Sequence, residues 1–166
     1  INYASRIQAA MLHGESVLDE AFEQYFIIYK PRDIVSGDFY WVKQIRNYVA
    51  VVAADCTGHG VPGAFMSMLG ISLLNEHVTS RRLDSPGEIL DTLRKKVKVY
   101  LKQTGEFEET KDGMDMALCL INTENLKAKY SGAHNPLYII RGQELIEYKA
   151  TRNPIGIYLK EKHFET

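Results

Sequence analysis

The stretch VAVVAADCTGHG at positions 49–60 raises the first question about this chain. An apolar run typical of a buried strand leads straight into a carboxylate, Asp55, and then into a flexible Gly-His-Gly turn. An ionised carboxylate that leaves water costs several kcal/mol unless another group compensates it. We therefore expect Asp55 to have a compensating partner, and that partner to explain the function.

Strand patterns lie on both sides of this stretch. YFIIYK (25–30) and GDFYWVKQIR (37–46) are rich in β-formers, and little more than Asn47 separates the second from YVAVVAA (48–54), which predicts a hairpin. Because YVAVVAA is apolar throughout, we expect both of its faces to be buried. Further strands are predicted at DMALCLIN (115–122), LKAKYS (126–131), LYIIR (137–141) and ELIEY (144–148).

Two helices are predicted between these groups of strands. The first is amphipathic, covers about 62–78 and has Pro62 as its first residue. The second begins at Ser85, which forms a capping-box pattern with Glu88, and stops near Gly105. Strands, two helices and strands again predict an α+β fold, with antiparallel sheets and helices packed outside them.

The N-terminus carries a separate helical pattern. INYASRIQAAML (1–12) spaces Ala4, Ile7 and Met11 at helical intervals. This is either the end of a longer helix that arrives from upstream or an N-terminal packing helix. We assign 1–20 to a linker or regulatory helix and 21–166 to the main domain. The chain starts at isoleucine and stops without a tail-like pattern, so we expect a fragment of a longer protein.

Composition excludes several classes of function. The length of 166 residues suits one domain, and a net charge of −1 gives no electrostatic case for nucleic acid or an anionic membrane. No apolar run is long enough for a membrane span. Cys56 and Cys119 make no disulfide framework, so we expect a reducing compartment. We expect a cytoplasmic location, either for the protein itself or as the cytoplasmic domain of a larger, membrane-bound protein.

Three aspartates fall at predicted strand ends. Asp38 follows Gly37 at the start of one strand, Asp55 ends the next, and Asp115 opens a third. A lone aspartate in such a place is usually a turn residue or a helix cap. Three carboxylates that meet at one rim of a sandwich repel one another unless they share cations, and oxygen ligands suit Mg²⁺ or Mn²⁺.

The glycines after Asp55 allow a competing interpretation. Gly58, Gly60 and Gly63 match the spacing of a dinucleotide-binding loop. Pro62 removes one amide donor from that loop, and no acidic residue marks a following strand in a βαβ unit. We therefore favour a tight strand-to-helix turn over a nucleotide site.

Four separated segments together resemble one family. KPRDIVSGDFYW (30–41), VVAADCTGHGVPGAFMSMLG (51–70), DGMDMALCLI (112–121) and YSGAHNPLYIIR (130–141) resemble, in order, the SpoIIE-like branch of the PPM (type-2C) metal-dependent serine/threonine phosphatases. The resemblance implies a four-layer α-β-β-α sandwich, in which two antiparallel sheets pack face to face with helices outside. It also implies a metal centre at one rim between the sheets.

The resemblance assigns roles residue by residue. Asp55 is similar to the ligand that bridges two Mn²⁺ or Mg²⁺ ions, and the backbone carbonyl of Cys56 to a further ligand. Asp38 is similar to the first acidic residue of the site, and Asp115 to the later ligand of the second metal. Two such ions activate a shared water that attacks phosphorus, so no phosphoenzyme and no Cys56 nucleophile are needed.

The two histidines near these segments have different expectations. His59, directly after the metal ligands, either protonates the leaving serine or threonine oxygen or is only a loop residue at the rim. We expect His134 in GAHNP to be structural and to hydrogen-bond a turn closed by Asn135 and Pro136.

The chain departs from the family pattern at its C-terminus. After NPIG (153–156), the family continues with further strands and a Gly-Asp or Thr-Asp-Gly stretch that supplies the last acidic ligand, whereas this chain ends at Thr166. We therefore expect C-terminal strands to be missing, and activity to be weaker than in a complete domain. Open sheet edges favour pairing with another chain, which predicts a homodimer.

Three functions stay open on sequence grounds. The leading hypothesis is a phosphatase domain of a bacterial signalling protein, and the resemblance implies a phosphorylated protein substrate such as an anti-sigma-factor antagonist. The second is a catalytically impaired regulatory module that keeps the fold and binds a partner. The third is a metal-dependent hydrolase of small phosphoesters, which would need a deep pocket.

Overall fold

The structure is a computed structural model that describes residues 2–12, 14–81, 83, 85–106 and 111–166. Its helices are α1 (Asn2–Met11), α2 (Glu15–Ala21), α3 (Gly60–His77) and α4 (Pro86–Tyr100). Its strands are β1 (Phe39–Ile45), β2 (Tyr48–Cys56), β3 (Gly113–Asn122), β4 (Ala128–Ala133), β5 (Leu137–Arg141), β6 (Glu144–Tyr148) and β7 (Ile155–Gly156).

Two antiparallel sheets organise the described residues. The larger has the order β1-β2-β3-β4, and β7 pairs with the first residues of β3, beyond the end of β4. The smaller is the β5-β6 hairpin. The predicted α+β class, with two antiparallel sheets and accompanying helices, is confirmed.

One face of the larger sheet carries the main core. Alternate side chains of β3 point to this face, and they are fully buried with the apolar residues of α3 and α4. Burial of each such side chain contributes about 1.5–3 kcal/mol relative to exposure. The largest of these core side chains are Ile71, Leu74, Ile89, Leu90, Leu93, Met114, Met116, Leu118, Leu120 and Ile155.

The opposite face of the sheet is covered only in part. Leu18 of α2 packs on Val42 of β1 and on Val49 near the start of β2. Farther along the same face, Ala53 and Asp55 are exposed. The prediction that both faces of this strand are buried is therefore wrong for its second half, because α2 reaches only the first half.

Several sequence-based boundaries are wrong. Residues 25–30 form no strand, because a run of β-formers becomes a strand only where a neighbouring strand pairs with it. Helix α3 begins at Gly60, two residues before the predicted Pro62. Helix α4 ends at Tyr100 rather than at Gly105, and the Ser85 side chain makes no capping hydrogen bond.

Helix α1 turns an unexpected side toward the core. The side chains of Ala4 and Ile7 are exposed and that of Met11 is half-buried, whereas Gln8 is buried. The amide of Gln8 donates to the Ser36 carbonyl at 2.6 Å and to Ser67 Oγ at 2.8 Å, and its oxygen accepts from the Ser36 N–H at 2.9 Å. The hydrogen bonds of Gln8, together with the packing of Met11 on the main core, therefore hold this helix against the domain.

Candidate metal centre

The three predicted aspartates lie at one rim of the larger sheet. Asp55 and Asp115 are direct cross-strand partners of β2 and β3. Asp38 immediately precedes β1, whose first residue, Phe39, pairs with Ala54, so Asp38 lies beside Asp55. We call Asp38, Asp55 and Asp115 the acidic rim.

Electrostatic repulsion acts between members of the acidic rim. Partial burial raises the pKa of Asp38, and the neighbouring Asp55 raises it further through its charge and through a side-chain hydrogen bond. Asp55 itself is exposed to solvent, contrary to the expectation that it ends a buried run. Solvent therefore compensates its charge here, and a bound cation would relieve its repulsion with Asp38.

The donor chemistry of the rim fits a hard divalent cation. Its side chains offer only carboxylate oxygens, which Mg²⁺ and Mn²⁺ prefer. Within the described ranges, no three histidine, cysteine, aspartate or glutamate side chains converge closely enough to hold one ion together. Backbone carbonyls and water therefore have to complete any coordination shell at this rim.

Glycines let three backbone segments meet beside the rim. A Cβ atom at Gly37 would lie 2.8 Å from the Gly58 carbonyl oxygen and 3.1 Å from that of Cys56. A Cβ atom at Gly63 would lie 2.7 Å from the Gly58 carbonyl oxygen. Only glycine permits this approach, which brings the Cys56 carbonyl next to the segment that carries Asp38.

Thr57 ties the loop after β2 to the strand that bears Asp115. Its backbone N–H donates to the Gly113 carbonyl at 2.9 Å, and its Oγ1 accepts from the Gly113 N–H at 3.1 Å. This reciprocal pair continues the ladder by one step beyond Cys56. Backbone hydrogen bonds on both sides of the Asp55–Asp115 pair therefore fix the relative position of the two residues.

A cavity of about 200 Å³ opens onto the acidic rim. Asp38 and Asp55 line it together with Arg32, Asp33 and His59. His59 Nδ1 lies 3.3 Å from Asp33 Oδ2, and both side chains are exposed. The sequence does not predict a role for Asp33, because no spacing rule connects it with a histidine in another loop.

His134 also reaches the rim, which the sequence did not predict. Its Nδ1 lies 2.8 Å from Asp115 Oδ1. The sequence predicts that this side chain hydrogen-bonds the turn that follows it, whereas the ring contacts a predicted metal ligand. Only the pairing of β3 with β4 brings the two together, since Met116 and Ala133 are cross-strand partners.

Comparisons with known proteins agree with this architecture. The family model described as Stage II sporulation protein E (SpoIIE) matches residues 46–166. The SiaA-PP2C domain of Pseudomonas aeruginosa superimposes with a TM-score of 0.82 at 31% identity, over 99% of this chain and 63% of that chain. The chain belongs to the SpoIIE family. It spans less than two thirds of the length of that SiaA domain.

A second solved structure supports the same fold for this SpoIIE-family chain. It contains the PP2C phosphatase domain and a fragment of the regulatory domain of SpoIIE from Bacillus subtilis. The TM-score is 0.61 at 23% identity, over 79% of this chain and 36% of that chain. A search of curated proteins gives no match.

The Cys56 thiol of this SpoIIE-family chain is not set up as a nucleophile. The side chain is buried in the main core, and burial, followed by the charges of the acidic rim, raises its pKa. A thiol reacts as the thiolate, which these surroundings disfavour. Within Cys56, only the backbone carbonyl, and not the thiol, is therefore a candidate metal ligand.

Proposed function

We propose that this chain is the metal-dependent serine/threonine phosphatase domain of a bacterial signalling protein, and that Mn²⁺ or Mg²⁺ binds at the acidic rim. The ligands would be the carboxylates of Asp38, Asp55 and Asp115 and the carbonyl of Cys56. The observation that carries the proposal is the cross-strand pairing of Asp55 with Asp115 beside Asp38. Family membership and the similarity to PP2C domains support it.

The side chains around the cavity have roles that suit phosphate-ester hydrolysis. When bound, two divalent ions supply an activated water and neutralise charge on the phosphoryl oxygens. The exposed guanidinium of Arg32 in the cavity wall attracts the phosphoryl group. Asp33 orients His59 through Nδ1, which leaves Nε2 free to donate a proton to the departing serine or threonine oxygen.

The shape of the site favours a protein substrate over a small phosphoester. Pockets that enclose small molecules are usually about 300–1,000 Å³ in volume. The cavity at the acidic rim is about 200 Å³, and Asp38 and Asp55 in its wall are exposed. A phosphorylated side chain on a protein surface fits such a site, and a phosphorylated anti-sigma-factor antagonist in the cytoplasm is the partner class that we propose.

Mn²⁺-dependent hydrolysis of an aryl phosphate and of a phosphoserine peptide tests this function. The assay uses the full product of the gene that encodes this chain. We expect Asp55→Asn to lower kcat more than about 100-fold. Removal of a single hydrogen-bond donor that stabilises the charge of a transition state already lowers kcat by about 100-fold or more. Asp19→Asn is the control, since Asp19 is an exposed carboxylate on α2.

The regulatory module is the second candidate. The observation in its favour is that, among the described residues, no three side chains converge on one ion. If the wild-type protein neither turns over these substrates nor binds Mn²⁺ in calorimetry, the phosphatase proposal is wrong and the binding module replaces it.

A further inference from the structure

We propose that His134 is a positioning residue that holds the Asp115 carboxylate in the orientation needed for metal binding. This inference rests on the proposed function, because it assumes that Asp115 is a ligand. The ring Nδ1 lies 2.8 Å from Asp115 Oδ1. A carboxylate can only accept a hydrogen bond, so Nδ1–H is the donor, and Asp115 Oδ2 stays available for a cation.

The backbone aims the His134 ring. His134 has a φ of 59°, a left-handed conformation that is uncommon outside glycine and asparagine. Its N–H donates to the Thr151 carbonyl at 3.0 Å, and the Thr151 N–H donates to the Gly132 carbonyl at 2.9 Å. These bonds tie the turn after β4 to the segment before β7, so the ring is directed at the acidic rim before any ligand binds.

The His134 contact restricts the directions in which the Asp115 carboxylate can point. The Asp115 side chain is 38% exposed, and a carboxylate on a sheet surface can adopt several rotamers. Hydrogen-bond partners of ligating carboxylates fix the ligand orientation, and their removal typically weakens metal affinity by about 10–100-fold.

A second histidine provides a matched control. His163 Nδ1 lies 2.8 Å from Asp91 Oδ2, the same type of contact at the same distance. This pair lies at α4, and neither residue lines the cavity at the rim. Loss of His163 therefore removes an equivalent hydrogen bond without touching the proposed metal centre.

Mn²⁺ titration of the full gene product, followed by electron paramagnetic resonance of free Mn²⁺, tests the proposal. His134→Gly removes the ring and suits the positive φ, so we expect an unchanged melting temperature and an affinity about 10–100-fold weaker. His134→Asn keeps a donor near the Nδ1 position and accepts a left-handed backbone, so it should retain most of the affinity. His163→Ala should leave the affinity unchanged.

The outcomes separate this inference from the proposed function. If His134→Gly binds Mn²⁺ like the wild type while Asp55→Asn does not, His134 does not position a ligand, and the metal centre stands. If His134→Gly loses melting temperature and affinity together, and His134→Asn does not restore affinity, the role of His134 is only structural. If Asp55→Asn also binds like the wild type, the proposed metal centre itself is wrong.

Discussion

Gly37 shows how a single missing side chain shapes the candidate site. A methyl group there would press on the backbone carbonyls of Gly58 and Cys56, and backbone cannot swing aside as a flexible side chain can. We expect Gly37→Ala to lower the free energy of unfolding by about 1–3 kcal/mol, as overpacking does, and to weaken Mn²⁺ binding. Denaturant titration and calorimetry measure the two effects.

The control for Gly37 is Gly142→Asn. Gly142 has open space around its Cβ position and a φ of 64°, which asparagine accepts. Gly142→Asn should leave the free energy of unfolding and the Mn²⁺ affinity unchanged. A Gly37→Ala protein with wild-type stability and Mn²⁺ affinity would contradict the close approach of the three backbone segments.

The two cysteines give a prediction about pH. Burial raises the pKa of Cys119 to about 11, and that of Cys56 is also raised. A raised thiol pKa means less thiolate at a given pH, so iodoacetamide should label the native protein only slowly at pH 8. Labelling of Cys119 should become about tenfold faster per pH unit until pH approaches that pKa. Mass spectrometry of native and unfolded samples measures the rates, and rapid labelling of native Cys56 at pH 8 would contradict the burial of its thiol.

At the scale of elements, Gln8 attaches α1 to the loop that leads to the acidic rim. Gln8 bonds to Ser36 and Ser67, and Ser36 Oγ in turn accepts from the Asp38 N–H at 3.0 Å. Gln8→Ala leaves buried polar groups without partners, which costs about 1–3 kcal/mol. We expect that loss in urea unfolding, whereas Gln44→Ala at an exposed site should change little.

A wild-type free energy of unfolding for Gln8→Ala would mean that α1 is only loosely attached.

The sequence did not reveal the contacts of Gln8. The helical spacing of residues 1–12 pointed to Ala4, Ile7 and Met11, whereas the buried side chain of α1 is the polar Gln8. An apolar-periodicity rule cannot find a helix that packs through hydrogen bonds.

Local sequence signals predicted some elements well. The bounds of β5 and β6 agree with the prediction, because a tight turn at Gly142 and alternating strands are short-range features. The segment 25–30 failed as a strand because a ladder needs a partner elsewhere in the chain. The β7 strand escaped notice since two residues carry no periodicity.

At the scale of the whole molecule, the acidic rim was predictable and its surroundings were not. Asp38, Asp55 and Asp115 each stand at a strand end, which the sequence displays directly. His134 and Asp33 approach the rim only through pairings between distant segments. Such contacts depend on the register of the folded sheet, which single-sequence patterns do not contain.

Anomalous X-ray scattering from crystals of the protein grown with Mn²⁺ tests the proposed metal centre most directly. We expect anomalous peaks at the acidic rim, within coordination distance of Asp55 and of at least one of Asp38 and Asp115. Saturating Mn²⁺ with no peak at the rim, or with peaks only elsewhere on the surface, would contradict the assignment of these carboxylates as a metal centre.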